Sequence, residues 1–185
     1  MEYIEQIKNY KPINEQEKND RELILECIEK YEDILTRDNK ICHITSSGFI
    51  VNKNRDKVLM IHHNIYNSWG WTGGHADGDS DLLNVAIKEA KEETGIKSVK
   101  PITDEICSIE ILTVNSHKKR GNFVSAHLHL SVAYILEADE NEELFIKEDE
   151  NSGVRWIPID EIEDNVNEEH MISIYNKLIQ KAKNI

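Results

Sequence analysis

Apolar residues Leu83, Ala86, Ile87 and Ala90 recur at three- and four-residue spacing and predict an amphipathic helix over residues 80–94. Asp79, Ser80 and Asp81 offer cap oxygens and negative charge at its positive end, and Gly95 supplies a left-handed stop. A second helical stripe runs through Leu23, Ile24, Cys27, Ile28, Tyr31, Ile34 and Leu35, interleaved with charged residues. A third, over residues 168–183, carries Met171, Ile174, Tyr175, Leu178 and Ile179. Residues 41–51 and 57–63 read as two strands of a hairpin around a polar turn at 52–56. Residues 99–114 and 122–137 are long β-rich stretches joined by a polar loop, and 138–153 is an acidic loop. Residues 154–162 read as a late strand and a short helix, with Pro158 at the helix start.

Composition narrows the class. A chain of 185 residues, 39% apolar and 31% charged, fits one soluble globular domain with a proper core. Its net charge of −13 disfavours non-specific binding to nucleic acid or an anionic membrane, and leaves an anionic substrate dependent on a metal or a local basic patch. No basic-then-apolar leader and no apolar run of about 20 residues is present, so a cytoplasmic location is expected. Cys27, Cys42 and Cys107 are odd in number and widely spaced, which points to small buried side chains rather than disulfides or a zinc knuckle.

The candidate chemistry sits on the first helix. Glu89, Glu92 and Glu93 fall at i, i+3 and i+4, so their carboxylates leave one flank together. Each like-charge pair at this spacing costs roughly 0.2–0.5 kcal/mol when exposed. Either the three form a solvated face, or a hard divalent cation such as Mg²⁺ relieves the repulsion. Directly ahead, Thr72, Gly73, Gly74, His75, Ala76, Asp77 and Gly78 pack three glycines into seven residues. That run is either a tight strand-to-helix connection or a place where phosphate oxygens approach the main chain closely.

Taken together, the two halves resemble the signature of the Nudix hydrolases, in a Gly-Gly-His form. Gly74 stands at its first glycine, Lys88-Glu89 at its Arg-Glu, Ala90 at its apolar position, Glu92-Glu93 at its Glu-Glu and Gly95-Ile96 at its close, without a gap. Ser80 replaces the first glutamate, Lys88 the arginine, and Thr72 a common proline; Asp79 or Asp81 is expected to reach Lys88 instead. The predicted architecture is an α/β/α sandwich with a mixed sheet, the domain running over 41–185 behind an N-terminal helical extension at 1–40. The resemblance implies a metal-dependent pyrophosphohydrolase that cleaves a phosphoanhydride in a nucleoside diphosphate linked to another moiety. Mg²⁺ (or Mn²⁺) would sit on Glu89, Glu92 and Glu93 with the Gly73 carbonyl, and Glu89 or Glu92 would act as base. Two other readings stay open: a non-catalytic module that binds a nucleotide and regulates something else, and an isoprenoid diphosphate isomerase, which would need a catalytic cysteine.

Other positions are candidates for substrate contact: Gly74, His75, Trp69 beside Tyr66, and the pair His127 and His129 on one strand face. Trp71 is expected in the core. His62 and His63 are adjacent on a strand, so they point apart and cannot share one ion; one of them is expected to face the substrate. Lys118, Lys119 and Arg120 form the basic cluster of an acidic chain, either as a solvated loop or as a phosphate contact. Glu148 and Glu150 are candidates for one further acid. The helix at the N-terminus is expected to pack on the domain, with a homodimer contact left open.

Overall fold

The computed structural model describes residues 2–119 and 121–185. Helices α1 (Glu2–Asn9) and α2 (Glu15–Lys30) precede strands β1 (Cys42–Val51), β2 (Lys57–His63), β3 (Ser68–Gly70) and β4 (Thr72–His75). Helix α3 (Leu82–Thr94) follows, then β5 (Lys100–Pro101), β6 (Ser108–Val114), β7 (His117–Lys119), β8 (Asn122–Val124), β9 (His127–Glu137) and β10 (Asn151–Pro158). A 3-10 turn (Ile159–Glu161), α4 (Ile162–Asn165) and α5 (Glu169–Asn184) close the chain.

The sheet is mixed. β1 and β9 run parallel at its centre, from Cys42↔Leu128 to Val51↔Glu137, while β2, β4, β5, β6 and β10 join antiparallel. The predicted β1–β2 hairpin forms, but the two strands pair only at Ile50↔Leu59 and Val51↔Val58. Over its earlier half β1 gives that edge to β4, from Thr45↔His75 to Gly48↔Thr72. The glycine segment therefore lies as a strand against β1, on the opposite side from β9.

Side-chain alternation assigns the two sheet faces. Ile44 and Ile50 on β1, with Leu130, Val132, Tyr134 and Leu136 on β9, pack into the core shared with α1, α2 and α3. Phe49, Val51, Ala133 and Ile135 point the other way, against α4 and α5. On that second face β1 carries His43, Thr45 and Ser47 before Phe49, so the face is polar at one end and apolar at the other. The polar end is where the site forms.

Several expectations are corrected in detail. The helix predicted from residue 80 begins at Leu82, because the Asp81 side chain accepts the Asn84 N–H and serves as the cap. The N-terminal stripe ends at Lys30 rather than 35, with Ile34 buried in the turn that follows, and a second helix, α1, precedes it. The stretch over 99–114 breaks into β5 and β6. The loop expected at 115–121 instead carries β7, which pairs with β8 as a separate ribbon. Pro158 ends β10 and caps the 3-10 turn. Cys42 and Cys107 are buried and all three cysteines are free. Among the described residues no helix is long and apolar enough to cross a membrane.

Residues ahead of β1 are tied to the C-terminal helix by buried charge, which no periodic pattern announced. Lys177 of α5 lies 2.6 Å from Glu17 of α2 and 2.6 Å from Glu110 of β6, all three buried. The Tyr10 hydroxyl donates to Glu17 at 2.6 Å, and Lys181 donates to the Tyr10 hydroxyl and the Cys107 carbonyl.

Candidate functional site

Helix α3 packs Leu82, Val85, Ala86 and Ala90 into the core, and this fixes the direction of its glutamate flank. Gly95 stops the helix with φ of 75°, the left-handed conformation expected of it. Glu93 is only 3% exposed, and its carboxylate accepts the Gly73 N–H at 2.9 Å. An extended residue projects its N–H and C=O from the same strand edge, so the Gly73 carbonyl also faces α3. Close approach rather than an unusual backbone angle makes Gly73 a glycine, since a Cβ would lie 2.9 Å from the Ser46 carbonyl oxygen, while at Gly74 a Cβ would displace the Glu89 side chain. A Cβ on Gly73 would lie 2.5 Å from the Ser47 hydroxyl, and one on Gly74 would lie 2.5 Å from the Glu89 carboxyl carbon.

Glu89, Glu92 and Glu93 border a cavity of about 420 Å³, floored by Thr45, Ser47 and Ser131 and walled by Trp71 and Tyr175. Burial pushes Glu93 up to about 8, against the pull of the Gly73 N–H. Burial, and then the charge of Glu92, raises Glu89. Positive charge comes from Lys147, whose ammonium is 3.4 Å from Glu92 and 3.2 Å from Glu150, and from Lys88 at 3.9 Å from Glu92. The three glutamate side chains are not drawn into a single knot: among the described residues, only a histidine trio brings its ligand atoms within 4.8 Å of one another. The donor chemistry nonetheless fits a hard divalent cation. It comprises carboxylate oxygens on one helix flank, two of them pushed toward the protonated form, beside a glycine strand with no side chain in the way.

The Glu93 carboxyl provides a test of this electrostatic picture. Between its ordinary 4.5 and about 8, the folded state holds a proton that the unfolded chain has lost. Stability must then fall as pH rises through that window, by about 1 kcal/mol per pH unit. In chelator-treated protein, urea unfolding at pH 5, 6.5 and 8 is expected to show wild type losing stability relative to Glu93→Gln by roughly 2–4 kcal/mol overall. A pH-independent difference between the two would contradict the assignment.

The remaining predicted residues fall into two groups. His75, His129, Gly74 and Glu150 line the cavity, as does His63; His62 turns away to Ser152 at 2.9 Å. His127 lines an adjoining cavity of about 500 Å³ together with His43, Phe123 and Tyr66. Trp69 and Glu148 line neither cavity: the Trp69 ring lies 4.4 Å under the Arg155 guanidinium, and Glu148 is exposed. Trp71 packs half-buried against the core as expected, and it is also the tryptophan on the cavity wall. Lys118 is exposed and lines neither cavity; Arg120 and the Lys119 side chain lie outside the described residues.

Lys88 does not pair with Asp79 or Asp81, which are occupied in capping the start of α3. The loop is held instead by Asp77, whose two oxygens accept from Arg37 at 2.7 and 2.8 Å. A planar bidentate pair thus fastens the glycine loop to the segment before β1. Arg37, Lys147, Tyr175 and His43 were all missed from sequence. His43 alone carried a signal, since it shares its strand face with Thr45 and Ser47.

Burial pushes His129 down to about 2, and the neighbouring His75, His43 and His127 push it the same way; burial also lowers His43. His129 and His43 are thereby held toward the neutral form.

Comparison with known proteins places this geometry. Residues 43–178 match the model of the NUDIX domain family. No curated protein matches the chain. Among solved structures, an Ap4A hydrolase binary complex from C. elegans aligns with TM-score 0.58 at 17% identity, covering 77% of this chain and 98% of that one. A NUDIX-family hydrolase from Clostridium perfringens aligns with TM-score 0.53 at 20% identity, covering 76% and 97%. The MutT protein from Bacillus halodurans aligns with TM-score 0.52 at 20% identity, covering 74% and 81%. At these identities the likeness is one of fold.

Proposed function

The chain belongs to the NUDIX domain family, and from that premise we propose that it is a divalent-metal-dependent pyrophosphohydrolase acting on a nucleoside diphosphate linked to another moiety. One observation carries the reading: Glu89 and Glu93, both raised by burial, stand on the same helix flank as Glu92, against the glycine strand of an open cavity. Glu89, Glu92 and Glu93, with the Gly73 carbonyl, would hold Mg²⁺ (or Mn²⁺). When bound, that ion supplies polarisation of phosphate oxygens and a water of lowered pKa.

The chain's own residues have separable tasks. Gly74 leaves room for Glu89 to enter the cavity, where a carboxylate with a raised pKa accepts a proton from the attacking water. Glu93 is fixed by the Gly73 N–H. Glu92, 44% exposed, faces Lys147 and Lys88. Lys147 neutralises part of the acidic flank and is placed to meet substrate phosphate. Trp71 and Tyr66 line the cavity and offer planar surfaces to a base.

The test is a product-release screen over nucleoside triphosphates, nucleotide sugars, dinucleotides and ADP-ribose, with and without Mg²⁺. Turnover of at least one class only with Mg²⁺ or Mn²⁺ is expected. Tight nucleotide binding with no metal-dependent turnover of any class would replace the proposal with the non-catalytic reading.

A further inference from the structure

His43, His75, His127 and His129 come from three strands yet share one face of the sheet. β1 lies between β4 and β9, and His43 sits directly opposite His129 across the parallel pair. His75 is opposite Thr45, two residues further along β1, and His127 is two residues before His129. Residues two apart on a strand point the same way, so the register brings all four rings together. Ring centroids are 5.0 Å apart for His43 and His75, 5.2 Å for His43 and His129, and 5.0 Å for His75 and His129. His127 stands 5.0 Å from His43 and 5.1 Å from His129.

The nitrogens are oriented as well as gathered. His43 Nδ1 lies 3.1 Å from the Asn39 carbonyl, which can only accept; the proton therefore sits on Nδ1, and Nε2 keeps a lone pair. His127 is held the same way by the Ser125 carbonyl at 2.9 Å. Nε2 of His43 and Nε2 of His129 are buried and have no hydrogen-bond partner among the described residues. Buried ring nitrogens normally have a partner. A carbonyl that fixes one nitrogen so that the other is presented is the arrangement that orients metal-ligating histidines.

We propose that His43, His75 and His129 bind a first-row divalent transition-metal ion, zinc by the preference of imidazole, with His127 in reach as a fourth ligand. Their ligand nitrogens already lie within 4.8 Å of one another, and an ion about 2.0–2.1 Å from each would draw them closer still. Nitrogen donors distinguish this site from the carboxylates on α3, because imidazole suits zinc, copper or nickel and oxygen suits magnesium. The adjoining cavity of about 500 Å³ gives the ion an access path and leaves it within reach of a small ligand.

The experiment uses the tag-free full chain, stripped with EDTA and then equilibrated with Zn²⁺ or Co²⁺. Metal content and titration calorimetry are compared across wild type, a Glu89→Gln/Glu92→Gln variant, and a His43→Gln/His129→Gln variant. One equivalent of Zn²⁺ is expected in wild type and in the glutamate variant, with affinity at least about 100-fold weaker in the histidine variant. Co²⁺ in the first two should give the intense visible bands of a nitrogen-rich tetrahedral site. His75→Gln, with circular dichroism as the fold control, repeats the loss if the double variant does not fold. Zinc content unaffected by the histidine substitutions, zinc lost only in the glutamate variant, or no stoichiometric zinc in wild type would each overturn the assignment.

Discussion

Glu89→Gln is expected to lower turnover by about 10³-fold on the substrate that the product-release screen identifies, with KM moved less than tenfold and the fold intact. Glutamine keeps the size and hydrogen-bonding shape of the side chain while removing the charge and the proton acceptor. The Gly74 clearance that admits Glu89 to the cavity is therefore preserved, and only the chemistry changes. Loss of proton acceptance by one positioned group is worth about 10²–10⁴ in rate, and a weakened metal site adds to it. Glu92→Gln separates the two roles. If Glu92 is only a ligand, raising the Mg²⁺ concentration should recover much of its activity, whereas Glu89→Gln should stay inactive at any Mg²⁺ concentration. Turnover in Glu89→Gln within tenfold of wild type, with circular dichroism unchanged, would remove Glu89 from the reaction.

How much of this site was legible in the sequence follows from the range of each interaction. Helix α3, its Gly95 stop and the flank shared by its three glutamates are local and follow from spacing at three and four residues, although the fully buried stripe runs through Leu82, Val85, Ala86 and Ala90, with the expected Leu83 and Ile87 only half-buried. The mixed sheet between helices was legible through the signature's resemblance and the strand patterns. The partners of the flank were not, because they arrive from far along the chain. Arg37 reaches Asp77 over 40 residues, and Lys147 reaches Glu92 over 55. Neither distance leaves a periodic trace.

The histidines show an intermediate case. The His127 and His129 pair was visible because two residues apart means one strand face, but its meaning depended on register. Only the pairing of β1 with both β4 and β9 brings His43 and His75 beside it. The two tryptophans are a related case: both pack half-buried against the core cluster of α4 and α5, as expected of Trp71, but Trp71 also lines the cavity. Sequence placed Trp71 in the strand and Trp69 in the approach to it; the structure has Trp69 within β3, beside Arg155, and Trp71 between β3 and β4, on the cavity wall.

Lys177→Ala should destabilise the fold by about 3–5 kcal/mol, the usual effect of removing one partner from a buried ion group. In a chain of this size that is a drop in Tm on the order of 10 °C. The side chain is 6% exposed and lies 2.6 Å from both Glu17 and Glu110, so its loss leaves two buried carboxylates facing each other. The pH dependence should also change. In wild type, burial works against the Glu17 carboxylate, but hydrogen bonds from Lys177 and Tyr10 outweigh it and hold its pKa below the ordinary 4.5. That contribution is present above the unfolded value and is lost as pH falls through the lowered one. Burial, only partly offset by Lys177, raises Glu110, which opposes this trend in wild type. Without the ammonium, Glu17 keeps the Tyr10 hydroxyl, the Ile13 N–H and Lys181 at 3.7 Å, and Glu110 keeps the Ser108 hydroxyl, but both lose their 2.6 Å partner; burial and mutual repulsion then raise both, so the folded variant takes up protons that the unfolded chain has released. The Lys177→Ala deficit, read from urea unfolding, is therefore expected to grow as pH rises from about 5 to about 8. Lys177→Met combined with Glu17→Gln and Glu110→Gln should recover much of the loss, because the charges leave together. A deficit under about 1 kcal/mol, or one that shrinks as pH rises, would mean that α2 and α5 are joined by their apolar faces alone.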